Sequence, residues 1–233
     1  MTTLSEYYQG LGYPGSRWHI GREHPHLEEY AIRLLHGMPR AKVLEVGYQA
    51  GGFAVPVILA MRGRPDFTYL GIDSMAYENA VGGKVIAQYL RDHDVIGCYE
   101  FVERDAGEFL ARMPLQQFDL VLIDHSKSLY PREFRTLVRR GLVSPYGYTM
   151  FHDVLGEARE VWRDCVVIAR SSGYSWSIVS EIPEGLAVVR QEGLPQGITW
   201  LQCVERHLVD LRISIRQARS AIGRLRQRIR GKG

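Results

Sequence analysis

Long apolar runs are missing from this sequence. None approaches the roughly 20 residues a helix needs to span a bilayer, so no membrane span is expected. Cysteine is scarce: Cys98, Cys165 and Cys203 stand far apart, with no CxxC or Cys/His cluster. That spacing argues against a disulfide framework and a zinc site, and points to a reducing, cytoplasmic setting. The opening MTTLSEYYQGLGYPG has neither a basic nor an apolar segment, so no secretory signal is expected in it. Internal repeats and low-complexity linkers are also absent.

What is present is ordinary globular material. The 233 residues are 45% hydrophobic and 24% charged, enough to bury a core without disulfides or structural metal. The net charge of +3 is unevenly placed. From Leu201 onward nine basic residues face two acidic ones, a net +7, which leaves −4 for residues 1–200. The body alone gives no reason to expect nucleic acid.

Residues 1–25, rich in Gly, Tyr, Pro and His, read as an irregular lead-in, followed by a helix over 26–36. Short apolar runs then alternate with helical stretches. The strands are expected at 42–47, 67–73, 98–104, 118–124 and 148–154, and the helices at 53–62, 77–93, 107–113, 132–142 and 157–173. Residues 176–182 and 186–191, joined by Pro183-Glu184-Gly185, read as an antiparallel pair. Near-continuous apolar strands separated by helices predict an α/β fold, a Rossmann-like doubly wound, mostly parallel sheet with an antiparallel edge strand. Ligands of such sheets bind at the carboxyl ends of the strands. The expected division is a domain over 1–195 and a C-terminal basic amphipathic helix within 196–233.

The first strand runs into Glu45-Val46-Gly47-Tyr48-Gln49-Ala50-Gly51-Gly52. This G-x-x-x-G-G pattern is not the G-x-G-x-x-G of a dinucleotide turn, which counts against an NAD-dependent reductase. Glycine lets the backbone turn sharply and approach a ligand, although a tight turn alone also needs glycine. Glu45, Gly47, Tyr48 and Gly51 are the cofactor-binding candidates of this turn. Asp73 ends the second strand 26 residues after Gly47, where a carboxylate can accept both hydroxyls of a ribose. Ser74 beside it is a further cofactor-binding candidate, although Asp73-Ser74 also suits a helix N-cap. Asp105-Ala106, after the third strand, suit an adenine contact or a second N-cap.

The most specific stretch follows the fourth strand: Leu122-Ile123-Asp124-His125-Ser126-Lys127-Ser128-Leu129-Tyr130. Together with VLEVGYQAGGFAV it resembles the catechol O-methyltransferase family, metal-dependent enzymes that methylate small molecules. That family carries a similar glycine loop and a D-H-x-K-x-x-Y segment. Its fifth strand ends in two adjacent metal ligands, where this chain has Phe151-His152-Asp153-Val154. The F-H-D-V end is also similar to sugar and macrolide O-methyltransferases of antibiotic pathways. The resemblance spans about residues 18–191.

The resemblance implies a class I methyltransferase that uses S-adenosylmethionine and a divalent metal, Mg or Mn. Asp124 would be a metal ligand beside the cofactor, with His152 and Asp153 as the other two, Lys127 the general base and Asp73 the ribose acid. The chemistry agrees: methyl transfer from a sulfonium needs an oxygen nucleophile, and a cation on that oxygen lowers its pKa. A lysine beside the cation is expected to be depressed and able to take the proton. One departure stands out, since the catechol family places Asp then Asn where this chain has His152 then Asp153. Imidazole suits Mn, Fe or Zn better than Mg, so either the metal is softer or His152 serves the acceptor as base or orienter. A backbone-bonded His152 and a helix-capping Asp153 are the structural alternative. His125 suits packing near the cofactor or catalysis, and Tyr13, Trp18 and His19 suit an acceptor mouth or simple packing.

In the tail, Leu201, Val204, Leu208, Leu211, Ile215, Ala218, Ile222, Leu225 and Ile229 step alternately by three and four, an unbroken heptad. The flanks are Glu205, Arg212, Arg219 and Arg226 at e, and His207, Ser214, Ala221 and Arg228 at g. They offer few ion pairs to a parallel dimer. A homo-oligomer through residues 201–230, packing on its own domain, and an anionic membrane surface are the expected uses. Absent stacking aromatics argue against nucleic acid. The expected function is O-methylation of a small hydroxylated acceptor with two neighbouring oxygens, a catechol-like phenol or a sugar diol. The alternative is a non-catalytic scaffold of the same fold that assembles through its tail.

Overall fold

The computed structural model describes residues 4–12, 25–75, 82–95, 97, 99–182, 184–191, 208, 209, 211–215, 218 and 219. The strands are β1 (Ala41–Val46), β2 (Phe67–Asp73), β3 (Tyr99–Glu103), β4 (Phe118–Ile123), β5 (Val143–Phe151), β6 (Tyr174–Val179) and β7 (Leu186–Gln191). They form one seven-stranded sheet in the order β3-β2-β1-β4-β5-β7-β6. β1 through β5 pair in parallel, and β7 runs antiparallel between β5 and β6. β4 is buried at every position and β1 at all but one, which is why both read as continuous apolar runs.

Helices α2 (Pro25–His36), α3 (Ala54–Met61) and α4 (Gly83–Asp92) contribute to one apolar cluster, around Leu35, Ile58 and Leu90. Helices α5 (Ala106–Arg112), α6 (Tyr130–Arg140) and α7 (Arg159–Arg170) contribute to another, around Leu110, Phe134 and Cys165. Chain order reverses between β1 and β4, so their carboxyl ends open a crevice at the topological switch point.

Two expectations change, and the tail takes one of its expected places. The lead-in holds a helix, α1 (Leu4–Gly10), with Leu4 and Tyr8 buried. The Tyr8 hydroxyl donates to the Ala50 carbonyl at 2.9 Å, tying α1 to the glycine turn. β5 begins five residues early, because Val143 pairs with Phe118 before a register shift. Tail residues 208, 209, 211–215, 218 and 219 are helical, and Val209 and Ile213 join the buried cluster of α7. The rest of the heptad, the segment with Tyr13, Trp18 and His19, and Cys98 and Cys203 lie outside the described residues.

Candidate active site

Gly47 is the first residue past β1, with φ +99°, and its N–H donates to the Ile72 carbonyl at 2.7 Å. A Cβ here would lie 2.1 Å from the Asp124 carbonyl oxygen, so the turn packs directly on the segment following β4. Gly51 (φ +77°) does not line the crevice; a Cβ there would meet Ile86 and Val55 at 3.3 Å. Asp73 is buried at the end of β2. One carboxylate oxygen accepts Gln49 N–H at 2.8 Å and the other Met75 N–H at 2.9 Å. Both donors belong to positive-φ residues, so Asp73 holds two strained corners and keeps lone pairs for a ligand.

The turn and the segments after β4 and β5 enclose a cleft of about 830 Å³. Glu45, Gly47, Tyr48, Asp73, Asp124 and His125 line it, and Lys127, His152 and Asp153 complete the group. Ser74, Asp105 and Ala106 do not line it. Ser74 is exposed. Asp105 caps α5 by accepting Glu108 N–H at 3.0 Å, and pairs with Arg132 at 3.2 Å. Burial pushes its carboxyl up, but those two partners outweigh it and hold the group below the usual range.

At the cluster's centre, Lys127 Nζ lies 2.6 Å from Asp124 Oδ1 and 2.5 Å from Asp153 Oδ2. Lys127 opens a short 3-10 turn over Lys127–Leu129, which aims the ammonium back at the end of β4. His152 Nδ1 lies 3.2 Å from a carboxylate oxygen of each aspartate. Asp153 reaches both neighbours from a left-handed backbone, φ +62°, which Asp tolerates better than most residues. Burial raises the Asp124 carboxyl, but His152 and Lys127 outweigh it and hold the group far below the ordinary carboxylate range. Burial lowers the His152 imidazole, and the two aspartates more than reverse this.

Lys127 departs from expectation. Burial lowers its ammonium, but Asp124 and Asp153 outweigh burial and hold it above the ordinary lysine value. The expected depression assumed a cation as neighbour; the neighbours here are anions.

The donor set suits a divalent cation. Asp124, His152 and Asp153 each offer one ligand atom, all within 4.8 Å of one another. The Lys127 ammonium shows that the space between the two carboxylates accepts positive charge.

Three contributors escaped sequence reasoning. Tyr130, fully buried, donates its hydroxyl to Asp124 Oδ1 at 3.4 Å and the His152 carbonyl at 3.3 Å, bracing the ends of β4 and β5. The DHxKxxY spacing contained it, but assigned it no partner. Glu133, also fully buried, pairs with Arg132 and lies 3.6 Å from His125 Nε2. Glu28 projects from α2 into the cleft, and its Oε2 is buried with no hydrogen-bond partner among the described residues. Burial raises the Glu28 carboxyl to about 7, with the His152 charge pulling the other way.

The folded chain therefore holds the Glu28 proton up to about pH 7, whereas an unperturbed carboxyl loses it near 4.5. Stability from this source is full below pH 4.5 and falls as pH rises through 7. Glu28→Gln is expected to raise the melting temperature above pH 7 and leave it unchanged below pH 4.5. Thermal melts of both proteins across that range check it; a parallel pair of curves is the contrary result.

No protein-family model matches the chain, and no curated protein matches it in sequence. Solved structures do. The O-methyltransferase TomG from Streptomyces achromogenes, involved in tomaymycin synthesis and solved with S-adenosylmethionine, superposes with a TM-score of 0.62 at 17% identity. That match covers 82% of this chain and 88% of TomG. An O-methyltransferase from Bacillus cereus, in complex with S-adenosylhomocysteine, gives 0.62 at 15% identity, over 82% and 91% of the chains. A Klebsiella pneumoniae protein described as an O-methyltransferase gives 0.64 at 15%, over 82% and 88%. The chain shares the Rossmann-like fold of these solved O-methyltransferases, the architecture that the alternating strands predicted.

Proposed function

We propose that this chain moves the methyl group of S-adenosylmethionine to a hydroxyl of a small acceptor bearing two neighbouring oxygens, a catechol-like phenol or a sugar diol. The observation that carries the reading is a single cleft joining the ribose-type acid Asp73 to the Asp124–His152–Asp153 cluster and Lys127. TomG and the Bacillus cereus enzyme, solved with the methyl donor and its product, supply the cofactor assignment by fold.

In this reading Asp73 takes the ribose hydroxyls and Gly47 lets the donor approach the end of β1. Asp124, His152 and Asp153 would hold a divalent cation, which would supply Lewis acidity toward the acceptor's hydroxyl. His152 favours Mn over Mg. Lys127 is the base; it must first lose its own proton to solvent, and then takes up the one from the acceptor hydroxyl. Glu28, with a buried oxygen in need of a donor, orients a further hydroxyl of the acceptor.

The test is a calorimetric titration of S-adenosylhomocysteine into the protein, then of Mn²⁺ and Mg²⁺ into the product-loaded protein. Saturable binding of the nucleoside and of a cation, tighter for Mn²⁺, is expected. Failure to bind S-adenosylhomocysteine overturns the methyltransferase reading. Nucleoside binding without cation binding leaves a methyltransferase whose only bases are Lys127 and His152.

A further inference from the structure

We infer that the tail helix is a dimerisation element that pairs antiparallel with the same helix of a second copy of this chain. The inference is independent of the proposed activity.

With Leu208 and Ile215 lettered a, the described part of the tail shows a helix with two distinct apolar faces. Val209 at b and Ile213 at f are 1% and 3% exposed, packed into the cluster of α7. Arg212 at e donates to the buried carboxylate of Asp164 on α7 at 2.7 Å. The a and d residues point elsewhere: Leu208, Leu211 and Ile215 are 48%, 57% and 43% exposed, and Ala218 is exposed with them. The described part of the helix is therefore gripped by its own domain along its back, while the described part of its heptad seam is exposed.

The sequence says what kind of surface covers that seam. The a/d pattern continues unbroken through Leu201 and Val204 on one side and Ile222, Leu225 and Ile229 on the other. Only the heptad beginning at Leu208 has apolar b and f residues; elsewhere those positions hold Gln202, Arg206, Arg216, Ser220, Gly223, Gln227 and Arg230. One heptad is built for the domain and the whole length is built for another helix with the same repeat.

Charge selects the orientation. A parallel pair sets His207, Ser214 and Ala221 against the partner's Arg212, Arg219 and Arg226, with no ion pair. Antiparallel pairing sets Ile215 against the partner's Ala218, Leu208 against the partner's Leu225 and Leu211 against the partner's Ile222. Glu205 then flanks the partner's Arg226, and the reverse holds by symmetry. Arg212 meets the partner's Arg219, but its charge is already matched by Asp164. Because the back of each helix carries its own domain, the two domains lie on opposite sides of the pair.

Sedimentation velocity on the full chain, from low to high micromolar, is the test. A dimer is expected, converted to monomer by Leu211→Glu with Ile215→Glu at unchanged far-ultraviolet circular dichroism. The orientation is read separately. Glu205→Arg is expected to weaken the dimer about tenfold, the scale of two exposed ion pairs turned repulsive, and adding Arg226→Glu to restore it. A monomeric wild type overturns the inference, as does one that instead floats with phosphatidylserine vesicles. A double-Glu variant that stays dimeric places the interface elsewhere, and a charge swap without rescue overturns the antiparallel register.

Discussion

Asp124→Asn is expected to abolish cation binding and to slow methyl transfer about a thousandfold, the order lost when one preorganised charge-stabilising group is removed. The side chain is the hub of the cluster. It accepts from Lys127 at 2.6 Å, from His152 at 3.2 Å and from Tyr130 at 3.4 Å. An amide keeps the shape but removes the charge that Lys127 and the His152 ring are held against, and offers the cleft an N–H₂ where an acceptor was needed. Asp73 and the glycine turn are untouched, so S-adenosylhomocysteine should still bind about as well as to the wild type. Calorimetry with Mn²⁺ gives the first readout. Turnover of S-adenosylmethionine with 3,4-dihydroxybenzoate as a vicinal-diol probe gives the second. Undiminished Mn²⁺ affinity in the variant would remove Asp124 from the ligand set.

Gly47→Ala is expected to damage the fold and cofactor binding together. The added methyl would sit 2.1 Å from the Asp124 carbonyl oxygen and 2.7 Å from His125 Cβ, both rigid neighbours. The backbone, at φ +99°, is also one that L side chains rarely adopt. Strain and overpacking of this kind cost about 3 kcal/mol or more, which for a chain of this size lowers the melting temperature by about 10 °C. Relief requires the turn to lift off the segment after β4, so S-adenosylhomocysteine affinity should fall at least about tenfold. Wild-type melting and wild-type affinity in the variant would show that the turn has room the structure denies it.

The sheet was legible because β1, β2 and β4 are buried along nearly their whole length and read as apolar runs closed by a glycine or an aspartate. The cluster was legible for a related reason. Asp73, Asp124, His152 and Asp153 all sit where such runs stop, and doubly wound sheets collect those ends in one crevice. What escaped depends on distant partners. Helix α1 carries few apolar residues, and Tyr8 is held by a carbonyl 42 positions away. Glu28 belongs to a helix whose amphipathic pattern looks ordinary; only folding brings it to β5's end. Asp105 satisfied both of its sequence readings on paper, and the guanidinium of Arg132 favours the cap. The sign of the Lys127 shift depends on Asp153, 26 positions later, adopting a left-handed backbone. In the tail the heptad was plain, but one apolar b/f pair cannot announce itself as a docking face until the groove of α7 is seen.

The contact between Gly47 and the Asp124 carbonyl bears on how the protein can be redesigned. The glycine turn and the Asp124–His152–Asp153 cluster share one wall of backbone, so neither can be lengthened, shortened or transplanted without rebuilding the other. Glu28 on α2, and Glu157 and Glu184 beyond β5, reach the cleft from segments outside that wall. Under the proposed function, selectivity for new acceptors is best sought by varying those three side chains, leaving residues 47 and 124–125 fixed.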